Sequence, residues 1–277
     1  DEGITKVGIT TITGDRRVVA ENLGGTSVGR AYGGGNYSVA DNGTVAFTYT
    51  LSDDPSEVAV VTPDGRQRMI TDLNGDLKSR TQLAKAEMFW TESSHDGLPV
   101  QSWILHPPGF DPSQQYPLIL EIHGGPTSNY GDRFAAEFQL YAAAGFVVVF
   151  SNPRGSTGYG EEFGDLLYHN YPGNDYDDLI SAVDAVIERG YIDEDQLFVT
   201  GGSAGGIMTA WIVGHTDRFR AAVATKPRRQ LDQQDSGRGQ LQRVHAPTLS
   251  GHSVGKPGRI LGILTTFGRG RYRDAHD

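Results

Sequence analysis

The chain has 277 residues, a net charge of −10 and 37% hydrophobic residues, enough for one large domain or two ordinary ones with a real core. The absence of cysteine excludes disulfides, thiolate metal sites and a cysteine nucleophile. The acidic charge argues against nucleic acid as a partner, and the longest strongly apolar run, 142–150, is far too short to span a bilayer. The chain begins at Asp1 without a signal pattern, so we expect its true start to be missing, and cytoplasm and periplasm both stay open.

Residues 1–83 predict a β-rich segment. Four runs alternate in the manner of strands, at 6–13, 16–22, 37–51 and 57–72. Asn42-Gly43 and Asp64-Gly65 lie between apolar runs, where a hairpin needs residues that tolerate positive φ. Propeller blades of four strands recur every ~40 to 50 residues, so we expect the last one or two blades of a β-propeller. A small independent β-sandwich is the alternative.

Residues 84–227 predict strands that alternate with helices, hence a parallel sheet covered on both faces. The segment opens with a hairpin, 87–93 and 100–107, that turns at 95–97. Apolar runs typical of buried strands follow at 117–125, 146–155, 197–200 and 219–225, and helical patterns at 133–145, 175–190 and 204–214.

The helix at 175–190 carries its apolar residues on one face, namely Leu179, Ile180, Val183, Val186 and Ile187. Asp175, Asp177 and Asp178 crowd its start. We interpret these carboxylates as charges that favour a helix N-terminus, with a cation site as the alternative.

The stretch "FVTGGSAGG" contains a G-x-S-x-G motif, 201–205, between a buried strand and a helix. In such a turn the serine adopts a strained backbone, and neighbouring side chains would collide with the adjacent strand and helix. The motif predicts Ser203 as a nucleophile, with the amide of Ala204 donating to an oxyanion. A dinucleotide fingerprint would need glycine at 203, and a Walker loop would need a lysine. The plain alternative is a tight turn with an incidental serine.

A second element is His123-Gly124-Gly125-Pro126, directly after an apolar run. In a hydrolase of this type the oxyanion site takes a further amide from such a loop, so we assign this role to Gly125. His123 is interpreted as a structural imidazole satisfied by a nearby carbonyl.

The ordered motifs "YPLILEIHGGP", "GFVVVFSNPRGSTGYGEEFGD", "DYDDLISAVDAVI" and "VTGGSAGGIMTAWIVGHTDRFRAAV" resemble the prolyl oligopeptidase family between residues 87 and 227. The resemblance is nearest to its acylaminoacyl-peptidase and dipeptidyl-peptidase-like members. It implies an α/β-hydrolase catalytic domain behind a β-propeller that filters substrates by size. It also implies a serine peptidase for short peptides, with Ser203 as nucleophile and the amides of Gly125 and Ala204 as oxyanion donors. Arg154, in "NPRG", is interpreted as an ion-pair brace of its loop, with substrate contact as the alternative.

Residues 228–277 do not continue this pattern. They hold 8 Arg, 1 Lys, 8 Gly and no Glu, and only 259–267 reads as a strand or helical turn. The doubly wound sheet is therefore expected to be incomplete, with a bare parallel edge after 221–224 that favours aggregation. Plausible codons for 228–235, read one base later, give Val-Val-Asn-Trp-Ile-Ser-Lys, so we interpret 228–277 as an aberrant segment that is out of frame.

The triad Asp and His should follow the nucleophile in that order. The candidates there, such as Asp235 with His252, lack a strand-end context, and His245 and His276 are no better placed. Four earlier histidines precede or lie away from the expected place: His95, His106, His169 and His215. We therefore expect the triad Asp and His to be absent from this chain.

The function that follows is a serine peptidase acting on short peptides by acyl-enzyme chemistry, with little or no turnover in this chain because it is truncated. An esterase or lipase-like hydrolase of the same fold, and a non-catalytic propeller binding module, are the alternatives. No motif indicates a cofactor, and no H-E-x-x-H spacing indicates a metal site. Membrane and nucleic-acid partners are not expected, and homo-oligomerisation stays open.

Overall fold

The computed structural model describes residues 1–227 and the backbone of residues 260–262. Its elements, in chain order, are the strands and helices β1 (Val7–Thr10), β2 (Arg16–Ala20), β3 (Tyr37–Val39), β4 (Val45–Leu51), β5 (Asp54–Val61), β6 (Gln67–Met69), α1 (Gly75–Arg80), β7 (Ala86–Glu92), β8 (Pro99–Leu105), β9 (Tyr116–Ile122), α2 (Ala136–Ala143), β10 (Val147–Asn152), α3 (Glu161–Asp165), α4 (Asp175–Ile187), β11 (Ile192–Gly202), α5 (Ala204–His215), β12 (Ala221–Thr225) and β13 (Ile260–Gly262).

The N-terminal part is built from antiparallel strands, as its alternating pattern predicts. β1 pairs with β2, and β3 to β6 form a four-stranded sheet in sequential order. Gly43 and Gly65 close two of its hairpins with φ of 80° and 85°, the conformation for which these turns need glycine. The short helix α1 is an addition to the prediction, because six residues are too few to show a helical period.

The strands from β7 onward form a mixed sheet with the strand order β13-β12-β11-β9-β10-β8-β7. The predicted hairpin is confirmed, since β7 and β8 are antiparallel and Ser93 N donates to Leu98 O at 2.8 Å. β8 is also antiparallel to β10, whereas the pairs β10–β9, β9–β11, β11–β12 and β12–β13 are parallel.

Helices cover both faces of this sheet. Phe138 of α2 packs with Phe150 of β10 on one face, and Leu179 of α4 packs with Leu120 of β9 and Met208 of α5 on the other. All five side chains are at most 1% exposed, which fits the predicted continuous apolar strands.

The expectation of a bare edge after β12 is wrong. The backbone of β13 pairs in parallel with β12, from Ala221 opposite Ile260 to Val223 opposite Gly262, and so satisfies groups that the prediction left unpaired. The predictions for residues 228–259 and 263–277, including His245, His252, His276 and the reading frame, lie outside the described residues.

Within the described part of the chain, no helix combines the length and apolarity that a membrane crossing requires.

Candidate active site

Ser203 occupies the turn between β11 and α5, where the parallel strands end. Its backbone has φ 58° and ψ −116°, a sparsely populated conformation that costs a residue with a side chain about 1–3 kcal/mol. The residue is exposed, directly before buried Ala204. The predicted strained turn that presents a serine is therefore present in the structure.

The glycines around Ser203 are required by the backbone that surrounds them. A Cβ on Gly205 would lie 2.1 Å from the carbonyl oxygen of Ile122, and one on Gly206 would lie 2.7 Å from that of Thr225. A Cβ on Gly201 would lie 2.5 Å from the carbonyl oxygen of Gly205. These approaches are the collisions that the sequence pattern predicts.

The loop after β9, residues 123–126, lies against the same turn and is called the glycine loop below. A Cβ on Gly124 would come within 3.4 Å of the Cβ of Ser203, and Gly125 has φ of 136°. Gly125, Ser203 and Ala204 line one cavity of about 800 Å³. Within residues 1–227, the amide nitrogens of Gly125 and Ala204 have no hydrogen-bond acceptor. Two amides without partners thus belong to residues that border the cavity of the exposed hydroxyl.

The rest of the cavity comes largely from the segment after β10. Its lining includes the apolar residues Leu167 and Ile207 and the aromatic residues Tyr168 and Tyr171, together with acidic Glu161 and Asp165. The cavity therefore offers apolar and anionic surface beside Ser203.

His123 is a structural imidazole, as predicted. Its Nδ1 donates to the carbonyl of Gly124 at 2.8 Å, and its Nε2 lies 3.0 Å from Oγ of Ser156. Burial lowers the pKa of His123 to about 4, so the ring is neutral at pH 7. His123 thus holds the glycine loop.

Arg154 braces its loop through an ion pair, which confirms the first interpretation. Its guanidinium is 4% exposed and donates to both carboxylate oxygens of Asp178, at 2.8 and 2.9 Å, and to Asp96 at 2.9 and 3.0 Å. Asp178 lies in the first turn of α4, as its interpretation as a helix-start charge expects, and its carboxylate is fully buried against Arg154. That partner lies 24 residues away in sequence, beyond the reach of a local helix argument.

Asp175 lies in the same first turn of α4 and is also buried. It accepts a hydrogen bond from the amide of Gly173 at 2.7 Å, and burial raises its pKa to about 7. Among the residues that the structure describes, no cluster of three His, Cys, Asp or Glu is arranged to hold a metal ion.

Ser203 has no histidine partner within residues 1–227. His106 binds Tyr191, His95 binds Asn174, and His215 donates to the carbonyl of Trp211, each at 2.8 Å. His169, which precedes Ser203 in the chain, lines the cavity that contains Ser203.

Sequence reasoning missed three polar residues below the loop and the turn. Tyr32 accepts a hydrogen bond from the amide of Gly124, and the guanidinium of Arg30 lies 3.2 Å from a carboxyl oxygen of Glu121. Glu121 is fully buried, and this burial raises its pKa to about 8 although Arg30 attracts its charged form. A charged residue inside the apolar run "LILEI" was the available signal, because a carboxyl in a covered strand needs partners.

Comparison with known proteins agrees with this geometry. Residues 132–256 match the prolyl oligopeptidase family, and residues 228–256 of that match lie outside the described part. The uncharacterized peptidase YuxL of Bacillus subtilis is 43% identical over 178 residues, which are 64% of this chain and 27% of that protein. Dipeptidyl-peptidase 5 of Aspergillus fumigatus is 39% identical over 130 residues, which are 45% of this chain and 18% of that protein.

A solved structure with the same fold is the acylaminoacyl peptidase of Pyrococcus horikoshii. It has a TM-score of 0.64 and 27% identity, and the match covers 69% of this chain and 30% of that one. The chain thus spans less than a third of the length of each of these proteins. The part of the chain from residue 84 onward has the α/β-hydrolase fold, and residues 132–256 are similar to the prolyl oligopeptidase family.

Proposed function

We propose that the chain carries the acyl-transfer centre of a serine peptidase for short peptides. Ser203 is the nucleophile, and the amides of Gly125 and Ala204 are the oxyanion donors. The observation that carries the proposal is the exposed Ser203 at positive φ in one cavity with these two unpartnered amides. The names of the relatives, which are peptidases, support the reaction class.

The reaction that this arrangement serves proceeds in two steps. Oγ of Ser203 bonds to the carbonyl carbon of the scissile peptide, its proton goes to a base, and the carbonyl oxygen becomes an oxyanion facing the two amides. The C–N bond then breaks, the amine leaves with a proton, and water later hydrolyses the acyl ester.

The proposal includes little or no turnover for this chain. A serine hydroxyl is a weak nucleophile without a base, and Ser203 has no hydrogen-bonded histidine in the described part. Oxyanion donors and binding alone still leave ~10³- to 10⁴-fold catalysis over water when a triad member is lost. Slow acylation of Ser203 by a reactive reagent is therefore expected, and rapid peptide turnover is not.

The β-rich residues 1–83 are proposed to belong to a β-propeller that restricts access to the site by size. The sequential four-stranded antiparallel sheet β3 to β6 supports this, because it has the strand number and order of one blade.

Two substrate series test the proposal. Dipeptide p-nitroanilides and p-nitrophenyl esters are incubated with the chain and with Ser203→Ala, and a fluorophosphonate is added to both. We expect slow release of nitroaniline from the peptides and covalent modification of the chain, both absent in Ser203→Ala.

Each alternative gives a different result in the same assay. Cleavage of the esters without any cleavage of the anilides would support an esterase and overturn the peptidase assignment. Equal modification of wild type and Ser203→Ala, with no hydrolysis of either series, would support a binding module and overturn the nucleophile.

A further inference from the structure

Tyr32 is hydrogen-bonded to the glycine loop. The amide of Gly124 donates to the hydroxyl of Tyr32 at 2.6 Å, and this bond connects residues 92 positions apart. The carbonyl of the same glycine accepts from Nδ1 of His123 at 2.8 Å. That carbonyl and the amide of Gly125 belong to one peptide unit, so both peptide units flanking Gly124 are fixed.

The backbone around Tyr32 is hydrogen-bonded to residues 129–131, which follow the glycine loop. Gly33 N donates to Asn129 O at 3.1 Å, and Gly131 N donates to Ala31 O at 3.1 Å. The ring of Tyr32 packs edge-on against Tyr130, with 4.8 Å between ring centroids. The hydroxyl of Tyr32 is therefore held at a defined position next to the amide of Gly124.

Arg30, two residues earlier, reaches the serine turn. Its guanidinium lies 3.2 Å from a carboxyl oxygen of Glu121 and forms an ion pair with Glu137 at 2.8 Å. A Cβ on Gly202 would lie 2.5 Å from a nitrogen of this guanidinium, so the arginine lies directly against the residue before Ser203. The segment 30–33 thus touches both the loop and the turn.

Tyr171 contacts the turn that carries Ser203. Its hydroxyl donates to the carbonyl of Ala204 at 2.6 Å, and its ring lines the cavity. Burial raises the pKa of Tyr171, so the hydroxyl keeps its proton as a donor at neutral pH. The carbonyl of Ser203, in the preceding peptide unit, accepts from Ile207 N at 3.1 Å. The units on both sides of Ala204 are thereby fixed.

We infer that Tyr32 and Tyr171 are positioning residues of the oxyanion site, Tyr32 for the amide of Gly125 and Tyr171 for the amide of Ala204. The inference rests on the proposed function of these two amides. Neither tyrosine takes part in bond making. Each holds a peptide unit beside its donor, and each comes from a different part of the chain.

An NMR titration tests the inference without needing a reactive serine. Uniformly ¹⁵N-labelled wild type, Tyr32→Phe and Tyr171→Phe are titrated with sodium N-acetylphenylalaninate, whose carboxylate oxygen mimics the oxyanion. Tyr37→Phe, at a 60% exposed position on β3, and Tyr176→Phe, on α4, are matched controls. The shifts of the Gly125 and Ala204 amide protons are followed.

We expect a saturable shift of both protons in wild type and in both controls. Tyr32→Phe should at least halve the shift at Gly125 alone, and Tyr171→Phe should do so at Ala204 alone. Fluorophosphonate labelling of Ser203 should slow about 3- to 10-fold in each variant, the factor that corresponds to one net hydrogen bond.

The inference is overturned if both tyrosine variants titrate as wild type does, or if each alters both amides equally. It is also overturned if no amide shifts in wild type. The two proposals fail separately. Selective amide shifts without labelling of Ser203 would refute the nucleophile and keep the inference, whereas labelling at the wild-type rate with unaltered shifts would do the reverse.

Discussion

Gly205→Ala is predicted to damage both the stability and the site, whereas Gly214→Ala in the same helix improves stability. A Cβ at 205 would lie 2.1 Å from the carbonyl oxygen of Ile122 and 2.9 Å from that of His123. Both neighbours are backbone of β9 and the glycine loop, so the start of α5 must move by about 1 Å to reach a normal contact. Overpacking of this kind costs up to about 3 kcal/mol.

Gly214 is the matched control because a Cβ there would meet nothing within 4 Å. Alanine is favoured over glycine in a helix by about 0.5–1 kcal/mol, so Gly214→Ala should be more stable than wild type by that amount. Urea denaturation followed by circular dichroism measures both free energies of unfolding, and fluorophosphonate labelling measures the site. We expect Gly205→Ala to lose about 3 kcal/mol and at least tenfold in labelling rate. Wild-type stability and labelling in Gly205→Ala would refute the reasoning about the close approach of helix and loop.

Three further predictions concern strain, pH and charge. Ser203→Gly should be about 0.5–1 kcal/mol more stable than Ser203→Ala in urea denaturation. Glycine adopts positive φ without strain, and its larger loss of backbone entropy on folding offsets only part of this gain. Equal stabilities would contradict strain at this turn. Burial raises the pKa of Glu121 to about 8. The contribution of its protonated carboxyl to the free energy of unfolding is therefore fully present below about pH 4.5 and is lost as pH rises through about 8. Glu121→Gln should therefore lose less stability than wild type between pH 5 and pH 8, with a slope that differs by about 1 kcal/mol per pH unit, and parallel slopes would count against a buried protonated carboxyl. Asp178→Asn should cost about 3 kcal/mol of unfolding free energy because it leaves Arg154 buried with one partner fewer, whereas Asp177→Asn, at a part-exposed position, should cost little; similar losses would argue against the brace.

The features that could be predicted from the sequence depend on residues that are close together in the chain. The elbow at Ser203 follows from glycines that adjoin it, and the loop at Gly125 follows from its place after a buried strand. Strand alternation and turn glycines gave the antiparallel sheet, and apolar runs gave the covered sheet. Helices as short as α1 and α3, with six and five residues, have no period to detect.

The features that were missed depend on pairs far apart in the chain. Tyr32 meets Gly124 across 92 residues, and Asp178 meets Arg154 across 24. The local rule that carboxylates favour a helix start placed Asp178 correctly but gave no indication of its partner Arg154. Nothing in the neighbourhood of Tyr32 in sequence indicates that its hydroxyl reaches the glycine loop.

Site-mapped labelling tests the central claim most directly. The chain is treated with a fluorophosphonate, digested, and the share of label on each serine is measured by mass spectrometry over time, with Ser203→Ala as control. We expect slow modification to concentrate on Ser203 and to disappear in Ser203→Ala. Label spread over exposed serines at similar rates, with Ser203 no faster than the others, would contradict Ser203 as a nucleophile served by the amides of Gly125 and Ala204.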